Sequence, residues 1–267
     1  MSTLFLESTV LNNIFYQAQD DEIDMFHFAR SNNLALLLKG PTGCGKTRFV
    51  EHVAQKINQP LYTISCHDDL SAADLIGRHL IDNNGTYWQD GPMTKAVREG
   101  GVYYLDEIIE ARKDTTVLLH SLTDHRRELY IERTGEVIRA HKDFMLIISY
   151  NPSYQSLLKG LKPSTRQRFV SLSFDYPSLE NEIDIITAET GIAQQQAQQL
   201  VALATDLRRL SDIDVKAAAS TRLLIYAAKM IQSGCPINKA YQYCIIEPLS
   251  DEPETIKALK RVINAYC

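Results

Sequence analysis

The stretch "LALLLKGPTGCGKTRFVEHVAQKI", residues 34–57, decides the fold. A short apolar run (34–38) gives way to "GPTGCGKT" (40–47), and a helix-compatible segment follows. The loop satisfies G-x-x-x-x-G-K-[ST] in the strand–loop–helix setting that this motif requires. Gly40, Gly43 and Gly45 let backbone N–H groups curl around phosphate oxygens where side chains would obstruct. Pro41, Thr42 and Cys44 complete the loop, with Cys44 either a small tolerated residue or a redox-sensitive thiol. Lys46 is expected to reach the β- and γ-phosphates of ATP and Thr47 to ligate Mg2+, while the helix N-terminus adds favourable potential.

Outward from this loop, four more apolar runs alternate with helical stretches: "LYTIS" (61–65), "GVYYL" (101–105), "FMLIIS" (144–149) and "FVSLSF" (169–174). None shows strict polar alternation, the pattern of strands covered on both faces by helices. The expectation is an α/β core with a mainly parallel five-stranded sheet over residues 1–177. After "DYPS" (175–178), four helical segments follow without a convincing strand, so residues 178–267 read as a small helical domain. Gly191 and Gly234 stand where helix stops are expected. Two hairpins interrupt the core, at 77–92, where Asn84-Gly85 divides two arms, and at 127–140. They read either as decorative loops or as working surfaces.

The run "VYYLDEI" (102–108) ends an apolar strand in Asp106-Glu107. Asp106 is expected to hold Mg2+ through water, and Glu107 to orient and deprotonate the attacking water. Asn151, at the end of the next strand in "IISYNP" (147–152), is either a sensor of the water or γ-phosphate, or the start of an Asn-Pro turn. His67-Asp68-Asp69 lacks a third metal ligand at suitable spacing and is expected to supply a helix N-cap from Asp68 or Asp69.

Composition narrows the class. The 267 residues, 45% hydrophobic and 23% charged, are those of an ordinary globular protein. A net charge of −5 gives no global attraction to nucleic acid or anionic membranes. The run "MSTLFLESTVLNN" does not have the layout of a signal peptide, and no apolar run approaches bilayer length. Five cysteines without a CxxC pair argue against a disulfide framework or a thiolate zinc site. A cytoplasmic setting is the expectation.

The P-loop, the Asp-Glu pair and the blocks "CHDDLSAADLIGRHL", "TDHRRELYIERTGE" and "SYNPSYQSLLKGLKPSTRQRFV" together resemble the MoxR branch of AAA+ ATPases, and within it the CbbQ group of Rubisco activase subunits. The similarity spans most of residues 34–176. It implies that "STRQRF" carries an arginine finger, with Arg168 as the finger and Arg166 assisting, acting on a neighbouring subunit's nucleotide in a homo-oligomer, a hexameric ring. The always-charged, forked guanidinium suits charge growing on γ-phosphoryl oxygens. It implies that Arg222 is a second sensor of the γ-phosphate, although Ser220-Thr221-Arg222 departs from the Gly-Ala-Arg of other branches. The resemblance further implies that the two hairpins face the ring pore or one ring face, with Tyr87, Trp88 and Tyr130 as contact residues or with Trp88 packed on its own domain. The implied function is a Mg-ATP-dependent remodelling motor that works with a CbbO-like von Willebrand factor A domain adaptor to release inhibitory sugar phosphates from Rubisco. The NorQ/NirQ group, which activates nitric-oxide reductase, is the similar alternative. A small-molecule P-loop kinase, a nucleotide-gated scaffold and a DNA-unwinding motor fit the sequence less well.

Overall fold

The computed structural model describes residues 14–83, 85–154, 160–211, 218–263 and 265–266; the amino-terminal run, Asn84 and Cys267 of the sequence reading lie outside them. The chain divides into two compact units. Among the described residues the first holds Ile14, Asp20–Gly40 and Lys46–Phe174; the second holds Phe15–Gln19, Pro41–Gly45 and the chain from Asp175.

In chain order the first unit contains α1 (Glu22–Ser31), β1 (Ala35–Lys39), α2 (Lys46–Lys56), β2 (Leu61–Ser65), α3 (Ala72–Ile76), β3 (Gly77–Asp82), β4 (Gly85–Asp90), α4 (Pro92–Glu99), β5 (Gly101–Asp106), α5 (Lys113–Leu122), β6 (Glu128–Ile131), β7 (Glu136–Arg139), β8 (Phe144–Tyr150), α6 (Pro163–Arg166) and β9 (Phe169–Ser173). The main sheet has the five-stranded order β2-β5-β8-β1-β9, and every pairing in it is parallel. The three middle strands are buried almost throughout, whereas the edge strands β2 and β9 expose alternate residues such as Thr63, Ser65, Ser171 and Ser173. The expected both-faces burial therefore holds for the middle of the sheet and not for its edges, which lack a second neighbour.

Both hairpins form. In β3–β4 the register pairs Asp82 with Gly85, so Gly85 opens the second strand rather than sitting in the turn. The glycine of the expected Asn84-Gly85 turn is thus a strand residue. Trp88 faces inward: it packs partly buried against the core, stands edge-on to His79 at 5.1 Å, and donates its indole N–H to Asp90 at 2.7 Å. The large apolar side chains that this hairpin exposes are Ile81 and Tyr87. In β6–β7, Leu129, Ile131 and Ile138 are buried while Tyr130 and Val137 point to solvent. Arg98 of α4 joins the two hairpins, bonding Asp90 at 3.0 Å and Glu136 at 2.8 and 3.0 Å.

A second correction concerns α3. Its N-cap is Ser71, in a capping box with Asp74, and Asp68 and Asp69 form the turn before it. Ser71 wins because its hydroxyl and the Asp74 carboxylate satisfy each other's backbone donors, which an isolated aspartate cannot arrange. Burial pushes the Cys66 thiol at the end of β2 up to about 12, helped by Asp106 and Glu107. Cys44, Cys66, Cys235 and Cys244 are all free thiols.

The second unit carries α7 (Leu179–Thr190), α8 (Gln194–Ser211), α9 (Thr221–Gln232), α10 (Ile237–Tyr241) and α11 (Pro253–Ile263) around an apolar core of its own. Gly191 ends α7 in the left-handed conformation, and Gly234 follows α9 with φ +89. The sequence reading missed α10, which runs on into a π turn at Gln242–Ile246. It is a single short turn, too brief to show helical periodicity.

Gly40 marks the passage from β1 to the phosphate loop. A Cβ there would collide with the Phe174 carbonyl oxygen and lie 2.9 Å from the Phe174 Cβ. Gly40→Ala is expected to lower stability by roughly 1–3 kcal/mol through overpacking. Urea denaturation would show it as a lower midpoint, and an unchanged midpoint would contradict the steric reading.

Candidate nucleotide site

Parallel pairing puts the C-terminal ends of β5, β8 and β1 side by side at one edge of the sheet. Asp106 ends β5, Asn151 follows β8 and the phosphate loop leaves β1, so the topology converges the predicted residues of the first unit. Gly43 and Gly45 have φ of +75 and +101, the backbone that turns successive N–H groups inward. Nothing would touch a Cβ on Gly45, so its requirement is torsional, not steric. Lys46 is buried at 6% exposure, and its Nζ donates to the Gly40 carbonyl at 2.8 Å. An ammonium held inside the loop is placed to meet phosphate oxygens.

Asp106 is fixed by its neighbours. Its Oδ1 accepts from the Tyr104 hydroxyl (2.8 Å), the Ser149 hydroxyl and the Glu107 N–H (3.1 Å). Its Oδ2 lies 3.4 Å from the Thr47 hydroxyl. Burial, reinforced by Asp106, holds the Tyr104 phenol well above its ordinary value, so the hydroxyl keeps its proton. Sequence reasoning missed Tyr104 and Ser149. Their signal was a polar group inside otherwise apolar strands, since a buried hydroxyl must find a partner.

Glu107 adopts a left-handed backbone, φ 53 and ψ 51, at the start of the turn Ile108–Glu110. Such a conformation is costly for a residue with a Cβ and concentrates at functional positions. Its Oε2 is buried with no hydrogen-bond partner. Burial pushes the carboxyl up; Lys46 and the Asn151 N–H oppose this, and Asp106 adds to it. Asn151 is buried, and its side-chain oxygen accepts the Ser153 N–H at 3.0 Å. The Asn-Pro turn of the sequence reading is thus present, with the backbone N–H of the same residue turned to Glu107.

Within the first unit the donor set suits a Mg2+-nucleotide: a buried ammonium, all-oxygen donors from Thr47 and Asp106 for a hard cation, and an orphaned carboxylate oxygen on the residue after Asp106. Among the described residues no cluster of His, Cys, Asp and Glu forms a separate metal site.

Arg166 and Arg168 are not at this site. Both are exposed, Arg166 ending α6 and Arg168 just before β9, and among the described residues neither forms an ion pair; the Arg168 guanidinium only reaches the His120 carbonyl at 3.4 Å. β9 runs parallel to β1 from Ala35↔Phe169 to Lys39↔Ser173, so Arg168 lies at the opposite edge of the sheet from the loop. At about 3.3 Å per residue the separation is roughly 20 Å. In the second unit, Arg222 stands exposed in the first turn of α9. A Cβ on Gly43 would fall 2.6 Å from Ser220 Cβ and 3.4 Å from Arg222 Cβ, so the loop apex lies against this turn.

The raised Glu107 carboxyl has a stability consequence. Between the ordinary and the raised value the folded state binds more protons than the unfolded one, so stability falls as pH rises through that window. Glu107→Gln removes the charge. Without nucleotide, the variant is expected to melt higher than the parent at pH 8, with the gap closing toward pH 4; a lower melting temperature at pH 8 would contradict this account.

Residues 35–169 match the family model described as AAA domain (dynein-related subfamily), and residues 182–266 match CbbQ/NirQ/NorQ C-terminal. The denitrification regulatory protein NirQ of Pseudomonas aeruginosa is 57% identical, over 94% of this chain and 97% of that protein. Protein NorQ of Paracoccus denitrificans is 53% identical over 94% and 93%. Protein CbbQ of Hydrogenophilus thermoluteolus is 49% identical over 92% of each. A RuvB mutant structure from Thermotoga maritima shares the fold, with a TM-score of 0.57 at 16% identity over 91% of this chain and 69% of that one. The chain belongs to the CbbQ/NirQ/NorQ family of AAA+ ATPases.

Proposed function

We propose that this ATPase is a ring-forming remodelling motor whose hydrolytic site is completed in trans. Lys46 and the loop N–H groups bind the β- and γ-phosphates. Thr47 and Asp106 hold Mg2+, which neutralises charge on the phosphate oxygens. The Glu107 carboxylate orients a water and takes its proton as the water oxygen attacks the γ-phosphorus; the bond to the bridging oxygen breaks and ADP leaves. Asn151 fixes Glu107 through its backbone N–H, and Arg222 meets the γ-phosphate. The observation that carries the trans reading is the pair Arg166 and Arg168: charged, exposed, free of any acid among the described residues, and roughly 20 Å from their own loop. A heterologous contact that closes into a ring, hexameric in this reading, brings such a pair to the next subunit's nucleotide.

The target is a second question. Inhibited Rubisco, reached through a von Willebrand factor A domain adaptor, is the reading the CbbQ resemblance suggests. A denitrification target such as nitric-oxide reductase is favoured by identity: 57% to NirQ and 53% to NorQ, against 49% to CbbQ. Both readings require the same motor.

Two experiments test these readings. Arg168→Ala and Glu107→Gln should each cut ATP turnover by ~10³-fold or more. Mixing the two inactive proteins should restore a measurable fraction, because some interfaces then pair an intact Glu107 with an intact Arg168; mixtures as inactive as their components would overturn the trans assignment. For the target, the motor, ATP and a cognate adaptor would be added separately to sugar-phosphate-inhibited Rubisco and to immature nitric-oxide reductase. Whichever enzyme gains activity, with ATP and not with Glu107→Gln, is the target; gain in neither would overturn both target readings and leave the motor.

A further inference from the structure

The second unit contains a charged cluster that phosphate binding alone does not explain. Glu182 of α7 is fully buried. Arg208 of α8 grips it with a two-pronged pair, Nη1 to Oε2 at 2.8 Å and Nη2 to Oε1 at 2.7 Å. Thr221, buried in the first turn of α9, donates its hydroxyl to Glu182 Oε1 at 2.6 Å. The remaining prong of the fork, Arg208 Nε, donates to the Ala219 carbonyl at 2.8 Å. One carboxylate and one guanidinium therefore pin the start of α9 from both sides of its N-cap residue, Ser220.

The same guanidinium reaches the phosphate loop through an aromatic ring. Arg208 Cζ stands 4.1 Å from the Tyr176 ring centroid, and the Tyr176 hydroxyl donates to the Thr42 carbonyl at 3.3 Å. Burial pushes this phenol up to about 12, with Arg208 opposing, so at neutral pH the hydroxyl retains the proton it donates. Thr42, Gly43, Tyr176 and the start of α9 all lie in the second unit. Only a planar fork can serve the bidentate pair, the Ala219 carbonyl and the ring face at once; a lysine ammonium can not. A buried polar network with its members paired in this way specifies one arrangement of the elements it joins.

We propose that Arg208 is a positioning residue for ATP hydrolysis. Bound to Glu182, Ala219 and Tyr176, it fixes the Ser220–Arg222 turn against the apex of the phosphate loop, so that Arg222 meets the nucleotide. This rests on the role proposed above for Arg222. Tyr176 closes the circuit, because a shift of the Thr42 carbonyl on nucleotide binding is felt by the ring stacked on Arg208.

The test is a double-mutant cycle in the full-length oligomer, measuring kcat and KM for ATP in the parent, Arg208→Lys, Arg222→Ala and the double variant, with a melting temperature for each. Arg208→Lys is expected to lower kcat roughly tenfold in the parent and to add nothing in the Arg222→Ala background. Additive losses would overturn the inference and leave Arg208 a structural ion pair. An unchanged kcat in Arg222→Ala alone would overturn the role of Arg222 itself, a distinguishable failure because that variant keeps Arg208. Should Arg208→Lys not fold, Tyr176→Phe takes its place in the cycle. It keeps the ring over the guanidinium and deletes only the bond to Thr42, and it is expected to raise KM for ATP several-fold at an unchanged melting temperature. No change in KM would overturn the link to the loop.

Discussion

A parallel strand buried on both faces has only one place for a charged group, its end. The structure follows from that constraint. β5, β8 and β1 carry no charged group along their buried length, so Asp106, Asn151 and the glycine loop are driven to a common edge where the backbone leaves the sheet. Close packing then decides which oxygens are available. Asp106 Oδ1 is taken up by three donors from β5, β8 and the Glu107 N–H, while Oδ2 is directed at Thr47. The carboxylate enters the site already oriented, which is the condition for electrostatic stabilisation without reorganisation during reaction.

The cost of that preorganisation falls on Glu107. Its left-handed backbone costs about 1–3 kcal/mol on its own, and a buried carboxylate oxygen without a partner adds a desolvation penalty. Folding does not explain either feature; a glycine would relieve the first and a glutamine the charge. Both make sense if the missing partner is a water held against a phosphoryl group. The carboxyl is pushed up by burial and drawn back by Lys46, a balance that leaves it a better base than a solvated glutamate.

Local signals carried the fold class and pointed to residues that the structure gathers at the candidate site. The loop glycines, Lys46, Thr47 and the Asp-Glu pair stand at strand ends, and strand ends can be read from apolar runs alone. What escaped depended on pairing between distant segments. Ser149 became visible only when β8 was set beside β5, 43 residues away in sequence from its partner Asp106. Arg208, in the last turn of α8, carries no local signal, because its partners come from α7, the start of α9 and Tyr176. The helix cap passed from Asp68 or Asp69 to Ser71 because the reciprocal bond to Asp74 needs three-residue spacing, which neither aspartate has with a suitable partner.

Trp88 shows how composition can mislead about surfaces. A lone tryptophan on a hairpin invites a role in contact, yet here it is the root of the hairpin, packed on the core and tied to Asp90. The competing tether, Arg98 to Asp90 and Glu136, is a set of partly exposed ion pairs. Such pairs contribute at most about 1 kcal/mol, and the half-buried Trp88 ring packed on the core adds apolar burial to them. The aromatic ring roots β3–β4 on the core, and the ion pairs register it against β6–β7. The large apolar side chains left exposed are Ile81 and Tyr87 on one hairpin and Tyr130 and Val137 on the other, both hairpins being held by α4. A load applied at either hairpin enters the same helix, which packs against β5, the strand that ends in Asp106.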